Sequence, residues 1–318
     1  MSWRIWLPLL LAPAFAASVL LPFEPLQALF GQDRGLATGL LVELRLPRAL
    51  LALAYGATLG ASGAAIQALF ANPLASPDLT GTTSGAALGA VVTAYLFGFS
   101  APIALSIGSV AGALGALALL IGLAGPKAET ATLLLSGLAI SALAGALTTL
   151  ALAPSPFAFY DAYDWLMGSL IDRSLDQAAF AALPALLTIA LLARLGSALD
   201  RLALGEEVAQ SLGDDVARMR LQVICLTAFG VGACVAICGA IGFIGLIAPI
   251  FARRLTLGHP GRAILPAGMI GALLLTAADL AVRLAPLGRT LPIGVLTALI
   301  GAPFFLWLVA HMRWRLRT

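Results

Sequence analysis

The chain has 318 residues, of which 61% are hydrophobic and 33 are glycine, while only 10% are charged. Soluble domains carry about 45–50% apolar and about 25% charged residues, so a soluble domain is excluded and an integral membrane protein is expected. The net charge of +3 comes from arginines scattered singly or in pairs, without the basic stripe of a nucleic-acid surface.

A helix crossing a hydrocarbon core of about 30 Å needs about 20 mostly apolar residues. On that measure the chain offers ten segments: 5–23, 48–70, 80–99, 101–123, 131–152, 178–195, 221–240, 241–257, 263–285 and 291–310. The first, MSWRIWLPLLLAPAFAAS, imitates a cleavable signal peptide, with its basic start and Ala14-Phe15-Ala16 ending. An uncleaved helix is expected, because cleavage would leave the basic tail HMRWRLRT outside or invert the remaining spans. Gly56/Gly60, Gly85/Gly89 and Gly108/Gly112 recur at four-residue spacing, which lets helices approach closely in lipid.

Between the second and third segments stands LFANPLASPDLTGTTSGAALGA (69–90). Pro73 and Pro77 remove backbone donors and bias Asn72 and Ser76 away from helix. Non-helical backbone at membrane depth survives only where protein buries it or it lines a cavity. The break is therefore expected to border a transport path at its cytoplasmic end. The longest outer loop, 154–177, crowds Phe157, Phe159, Tyr160, Tyr163 and Trp165 with Asp161, Asp164, Asp172 and Asp176, the composition of an aromatic belt. Further on, segments seven and eight run together through Gly239, Gly242 and Gly245. Cys225, Cys234 and Cys238 share one apolar segment with no histidine in it, and read as small packing residues.

Loop charges set the orientation. With the N-terminus inside, the cytoplasmic side carries Arg4, Lys127, Arg194, Arg201, Arg218, Arg220, Arg253, Arg254, Arg262, Arg313, Arg315 and Arg317. The outside carries Arg34, Arg45, Arg48, Arg173, Arg283 and Arg289. That division places both termini in the cytoplasm. Shifting residues 50–73 by 176 positions overlays them on 226–249 without a gap, with Gly56/Gly232, Gly63/Gly239 and Pro73/Pro249 coinciding. Segment two runs inward and segment seven outward, so the copies form an inverted repeat, with halves at about 48–152 and 221–310 of one permease domain spanning 1–318.

The motifs RLPR (45–48), SGAAIQALFANPLASPD (62–78), SGAALGA (84–90), LGEEVAQSLG (204–213), GAIGFIGLIAP (239–249) and LPIGVLTALIGAPFFLWL (291–308) together resemble the FecCD permease family. That family includes permeases for vitamin B12, iron-siderophores and haem. The resemblance implies an all-α, ten-helix, BtuC-like fold of type II ATP-binding-cassette importers, placed in the bacterial inner membrane. It also implies a homodimer, two cytoplasmic ATPase subunits and a periplasmic substrate-binding protein as partners. In that frame Asn72, Pro73 and Leu74 belong to the cytoplasmic gate. Within segment 200–216, Leu204, Gly205, Glu206, Val208, Leu212 and Gly213 match the coupling element that docks into the ATPase. Leu204, Val208 and Leu212 also stand at four-residue spacing, an apolar ridge in a charged loop. The resemblance makes Arg45, Arg48 and Arg283 docking cations for the binding protein and puts Trp165, Met167 and Gly168 at the outer mouth of the pathway. Lipid anchoring is the plainer role for those arginines, and an ion pair with Arg283 four residues on is the plainer role for Asp279, the best candidate for a buried ionisable group. The chain departs from the family where a usual histidine is Ile250, and where GxDHR reads Gly258-His259-Pro260-Gly261-Arg262.

No GxxxxGK[ST] occurs, so this chain is expected to bind no cofactor and to be no enzyme, with ATP and Mg held by the partner subunit. The expected function is import of an iron chelate, siderophore or haem, by alternating access, with a cobalamin importer as the alternative. An ion-coupled secondary transporter would use several intramembrane carboxylates or histidines, and only Asp279 approaches that description. An intramembrane enzyme would need clustered His, Asp or Ser chemistry, which the sequence lacks.

Overall fold

Glycine and proline decide where the apolar runs stop being helix. The computed structural model describes residues 3–125, 130–154, 162–163, 165–285 and 291–315. Lys127, Phe157, Phe159, Tyr160, Asp161, Asp164, Arg289 and Arg317, used in the sequence reading, lie outside the described residues. Among the described residues every regular element is helical. Helices α1 (Trp3–Leu20), α2 (Phe23–Gln32) and α3 (Arg34–Gly39) lead through a π-helical turn, Leu40–Arg45, into α4 (Leu46–Leu69). Next come α5 (Thr82–Val91), prolonged by a π-helical turn at Val92–Leu96, then α6 (Pro102–Ala124) and α7 (Thr130–Leu152). The second half holds α8 (Leu175–Arg194), the short α9 (Gly196–Leu202) and α10 (Glu206–Ser211), α11 (Val216–Cys238), α12 (Ile244–Leu255), α13 (Ile264–Leu284) and α14 (Ile293–Arg315).

Among the described residues, eight helical stretches are long and apolar enough to cross a membrane, and they coincide with eight of the ten expected segments. The other two expected segments are half-length helices. The run Thr82–Leu96 is about 22 Å long and α12 about 18 Å, both short of the roughly 30 Å core. Each follows a non-helical stretch, residues 70–81 in one case and 239–243 in the other.

Small residues set the packing, as their spacing suggested. Helix α4 is the central column, buried almost continuously from Tyr55 to Leu69. On α4, Gly56 and Gly60 face Gly271 and Ala267 of α13, and a Cβ at Gly56 would meet the Leu275 side chain at 2.9 Å. Gly85 and Gly89 of α5 face Gly112 and Gly108 of α6, so two of the four-residue patterns are partners of each other. Cys234 and Cys238 are buried packing residues of α11, while Cys225 is exposed. The Ser109 hydroxyl donates to the Gly232 carbonyl at 2.7 Å and ties α6 to α11.

The first helix is part of this bundle. It packs on α13 and α4, and the carbonyls of Ser18, Val19, Leu20, Leu21 and Pro22 at its far end accept hydrogen bonds from Arg45 and Arg283.

The gapless overlay of 50–73 on 226–249 needs correction, because it does not align the two breaks. Gly63 and Gln67 lie inside helical α4, whereas their counterparts Gly239 and Phe243 form the interruption after α11. Pro249, paired with Pro73 in the overlay, lies within α12. The shared glycine serves two different needs. Gly63 lets the Gly245 carbonyl approach α4, whereas Gly239 adopts φ 71° and ends α11. What the halves share is the order long helix, break, half-helix.

Candidate functional site

The two breaks meet inside the bundle. From Phe70 the chain does not stay at the end of α4. It climbs back until Pro77 packs on Gly245, which itself lies against Leu59 and Gly63, near the middle of α4. The Asp78 carboxylate accepts the Phe243 amide at 3.1 Å and lies over Gly242. Phe243 stands in the left-handed region at φ 65° as the N-cap of α12, with no side-chain cap of its own. Asp78 thus caps α12 from the other break, placing negative charge at a helix N-terminus. The Tyr55 hydroxyl donates to the Gly239 carbonyl at 3.0 Å and receives the Ile241 amide at 3.4 Å, satisfying the end of α11. The Gln67 amide donates to the Leu246 carbonyl at 3.4 Å. In this way α4 stabilises non-helical backbone that lipid would not tolerate.

The expected gate residues lie at the lower turn of this climb. The Asn72 Oδ1 accepts the Leu74 amide at 2.9 Å, an Asx turn that reverses the chain, and the Asn72 amide donates to Gln67 at 3.1 Å. Asn72 and Leu74 are buried and Pro73 half-buried, so the turn is packed shut. The Asn72 Nδ2 and Gln67 Oε1 atoms have no hydrogen-bond partner among the described residues. Trp165, Met167 and Gly168 lie at the other end, beside the second break. A Cβ on Gly168 would meet the Ala240 carbonyl at 2.5 Å, and the Ser169 amide donates to Cys238 at 2.8 Å. A cavity of about 590 Å³ opens there between Met167, Ala240, Gly294 and Ala298.

The coupling residues form a projecting turn. Gly205 at φ 117° and Gly213 at φ 91° bracket α10, conformations that a side chain would strain. Leu204, Val208 and Leu212 are 68%, 42% and 59% exposed, while Ala209 faces inward. The turn is braced by charge. Glu206 meets Arg220 at 3.0 Å, and Arg201 grips both oxygens of Asp214 at 2.6 Å. That contact holds the Asp214 carboxyl below the usual carboxylate range. Next to Arg201, Asp200 accepts the Gly261 amide at 2.7 Å, and the Gly261 backbone lies against Gly196. Helix α9 therefore joins the projecting turn to the loop that follows α12. The charge braces were not singled out from sequence, where Arg201 counted only toward the cytoplasmic charge.

The three arginines expected on the outer side turn into the bundle. Arg45 is buried and donates to the carbonyls of Leu20 at 2.8 Å and Pro22 at 3.0 Å. Arg283 donates to Ser18 and Leu21. Arg48 meets Asp279 at 2.7 Å, and Arg283 lies 3.8 Å from the other carboxylate oxygen. The helical pair of Asp279 with Arg283 is present, but the closer contact is to Arg48 across helices. As a surface for an incoming protein these guanidinium groups are largely committed already, with Arg48 the least buried of the three.

A bundle of apolar helices long enough to span a membrane, with two shorter helices whose breaks meet beside α4, is the architecture of a multi-pass membrane transport protein. The model of the FecCD transport family matches residues 5–311, and the chain belongs to that family. It is 41% identical to the vitamin B12 import system permease protein BtuC of Vibrio cholerae, over 85% of this chain and 82% of that one. It is 39% identical to the Fe(3+)-citrate import system permease protein YfmE of Bacillus subtilis, over 84% and 80% of the two chains. Among solved structures, a metal-chelate type ABC transporter in an inward-facing conformation superposes with a TM-score of 0.79 at 34% identity, over 96% of this chain and 97% of the other. The fold is thus that of a BtuC-like permease, and the chain is a transport subunit of the FecCD type.

Proposed function

We propose that this chain is the membrane-spanning subunit of an importer that carries an iron chelate inward, across the inner membrane, powered by two separate ATPase subunits. The observation that carries the reading is the exposed ridge of Leu204, Val208 and Leu212 on a turn held rigid by Arg201–Asp214 and Arg220–Glu206. Apolar side chains on a charged, projecting turn suit a partner protein's groove. The excess of basic residues on the side of this turn supports a cytoplasmic position for it and for both termini. A second copy of the chain completes the pathway, a periplasmic binding protein delivers cargo, and ATP and Mg belong to the ATPase.

The contacts suggest how force travels. Movement of α10 is passed through Asp214 to Arg201, through the adjoining Asp200 to the loop at Gly261, and along α12 to Phe243 and Asp78. Asp78 lies in the same break as Asn72, Pro73 and Leu74, so α12 moves the gate. Cobalamin is the second reading of the cargo, favoured by the Vibrio relative. Uptake of radiolabelled ferric citrate into proteoliposomes holding permease, ATPase and binding protein tests the proposal. ATP-dependent uptake that excess cobalamin leaves unchanged is expected. Uptake of cobalamin alone would establish the second reading, and uptake without ATPase would overturn both.

A further inference from the structure

A cavity of about 920 Å³ adjoins the coupling turn, with Leu204, Asp200, Arg201 and Gly261 in its wall. It lies between the start of α1, the end of α8 with α9, and the α12–α13 loop, with the first turns of α13 as its floor. Its depth is apolar, formed by Ala193, Leu255, Ile264, Leu265 and Met269. Met269 is five residues into α13, so the cavity descends about 8 Å below the helix end. That is the depth of the boundary between headgroups and acyl chains. Both flanking helices present bare hydrocarbon outward, with Ile5 and Leu9 on α1 and Leu183 and Leu186 on α8 exposed.

The rim is cationic. Arg4 stacks over the Trp3 ring with 5.7 Å between them, and Trp suits the membrane interface. Arg262 is mostly exposed, with its nearest carboxylate, Asp200, 3.7 Å away and already accepting the Gly261 amide. Arg201, also on the rim, is committed to Asp214. Arg4 and Arg262 are thus two exposed guanidinium groups on the rim of a cavity with an apolar depth, lying between the start of α1 and the end of α8. A soluble metabolite would waste the apolar depth, and a zwitterionic lipid would gain little from the two cations.

We propose that this cavity binds an anionic phospholipid of the cytoplasmic leaflet, with the phosphate between Arg4 and Arg262 and an acyl chain along Leu265 and Met269. Basic pockets between membrane helices on that side favour such headgroups. The site also touches α9, so the lipid would steady the segment that links the coupling turn to α12.

The test uses the full-length permease in neutral detergent, incubated with phosphatidylglycerol or with phosphatidylcholine of the same chain length. Native mass spectrometry then reads the lipid retained. The parent should retain phosphatidylglycerol preferentially. In the variant R4Q/R262Q that retention should fall by about thirtyfold, the combined worth of two basic side chains at an anionic headgroup. R4K/R262K should restore most of it, and M269W, which fills the slot, should reduce retention while leaving the arginines intact. Equal retention of both lipids by the parent overturns the proposal, as does undiminished phosphatidylglycerol in R4Q/R262Q. Should R4Q/R262Q keep its lipid and instead lose the ATPase subunit in a pull-down, the cavity belongs to that protein and the lipid site is wrong.

Discussion

Asp279 shows how one side chain commits two others, Arg48 and Arg283. Its carboxylate is fully buried and answers Arg48 at 2.7 Å and Arg283 at 3.8 Å, while Arg45 and Arg283 grip the end of α1. Removing one partner of a buried ion pair costs about 3–5 kcal/mol, because the survivor is left uncompensated. D279A should therefore lower the melting temperature in detergent severely, whereas exchange of an exposed pair costs about 0–1 kcal/mol. A melting temperature equal to the parent's would show that the arginines are satisfied elsewhere. The same geometry changes the expected effect of reversing Arg45. R45E would face the carbonyls of Val19, Leu20 and Pro22 and unseat α1, so loss of stability should precede any selective loss of binding-protein affinity. Melting curves of R45E and R48E, run beside binding measurements, separate the two effects. If R45E melts with the parent and R48E alone loses affinity, the docking role belongs to Arg48.

At the scale of elements, the coupling turn offers two tests. L212D places charge on the exposed ridge and should abolish co-purification of the ATPase while leaving insertion intact. An undiminished pull-down would remove α10 from the interface. The Arg201–Asp214 brace predicts a pH dependence. Because the folded Asp214 carboxyl lies below its unfolded value, the brace contributes fully above the unfolded value of about 4 and is lost as pH falls through the folded one. Hydrogen-exchange protection of residues 205–214 should stay constant from neutral pH down to about 5 and collapse only below the usual carboxylate range. In R201Q protection should already be reduced at neutral pH and show no such collapse, and a profile identical to the parent's would make the brace ornamental. The ridge was legible in the sequence because four-residue spacing between two glycines is a local signal. So were the close approaches of α5 on α6 and of α4 on α13, where glycine spacing is the packing rule itself. The breaks were only half legible. Pro73 and Pro77 announced the first, but nothing local announces that Asp78 reaches Phe243 across the bundle, and the glycines of 239–245 fit a continuous span equally well. The inward turn of the arginines was hidden for the same reason, since their acceptors are backbone carbonyls of a distant helix.

For the whole molecule, the junction of the two breaks is where the proposed gate and α12 are tied together. Asp78 holds the N-terminus of α12 while its own segment carries the turn at Asn72 and Leu74, so under the proposed gate role closing the gate and seating α12 are one event. Leaving the Phe243 amide without an acceptor costs about 1–3 kcal/mol, enough to shift a closed population by about fivefold or more. D78A should then raise passive efflux of a small fluorescent solute from proteoliposomes lacking ATP, and D78N, which keeps an acceptor oxygen, should leak less. L74G should leak by a different route, removing the buried side chain that fills the turn without freeing α12. The two defects part company when the ATPase is added. L74G should still couple hydrolysis to uptake through α12, whereas D78A should hydrolyse ATP with uptake reduced by about tenfold, the link to the gate having been cut. If both variants seal as tightly as the parent, residues 70–81 are a connector and the gate lies elsewhere. If D78A leaks yet remains coupled, the force reaches the gate by a path other than α12.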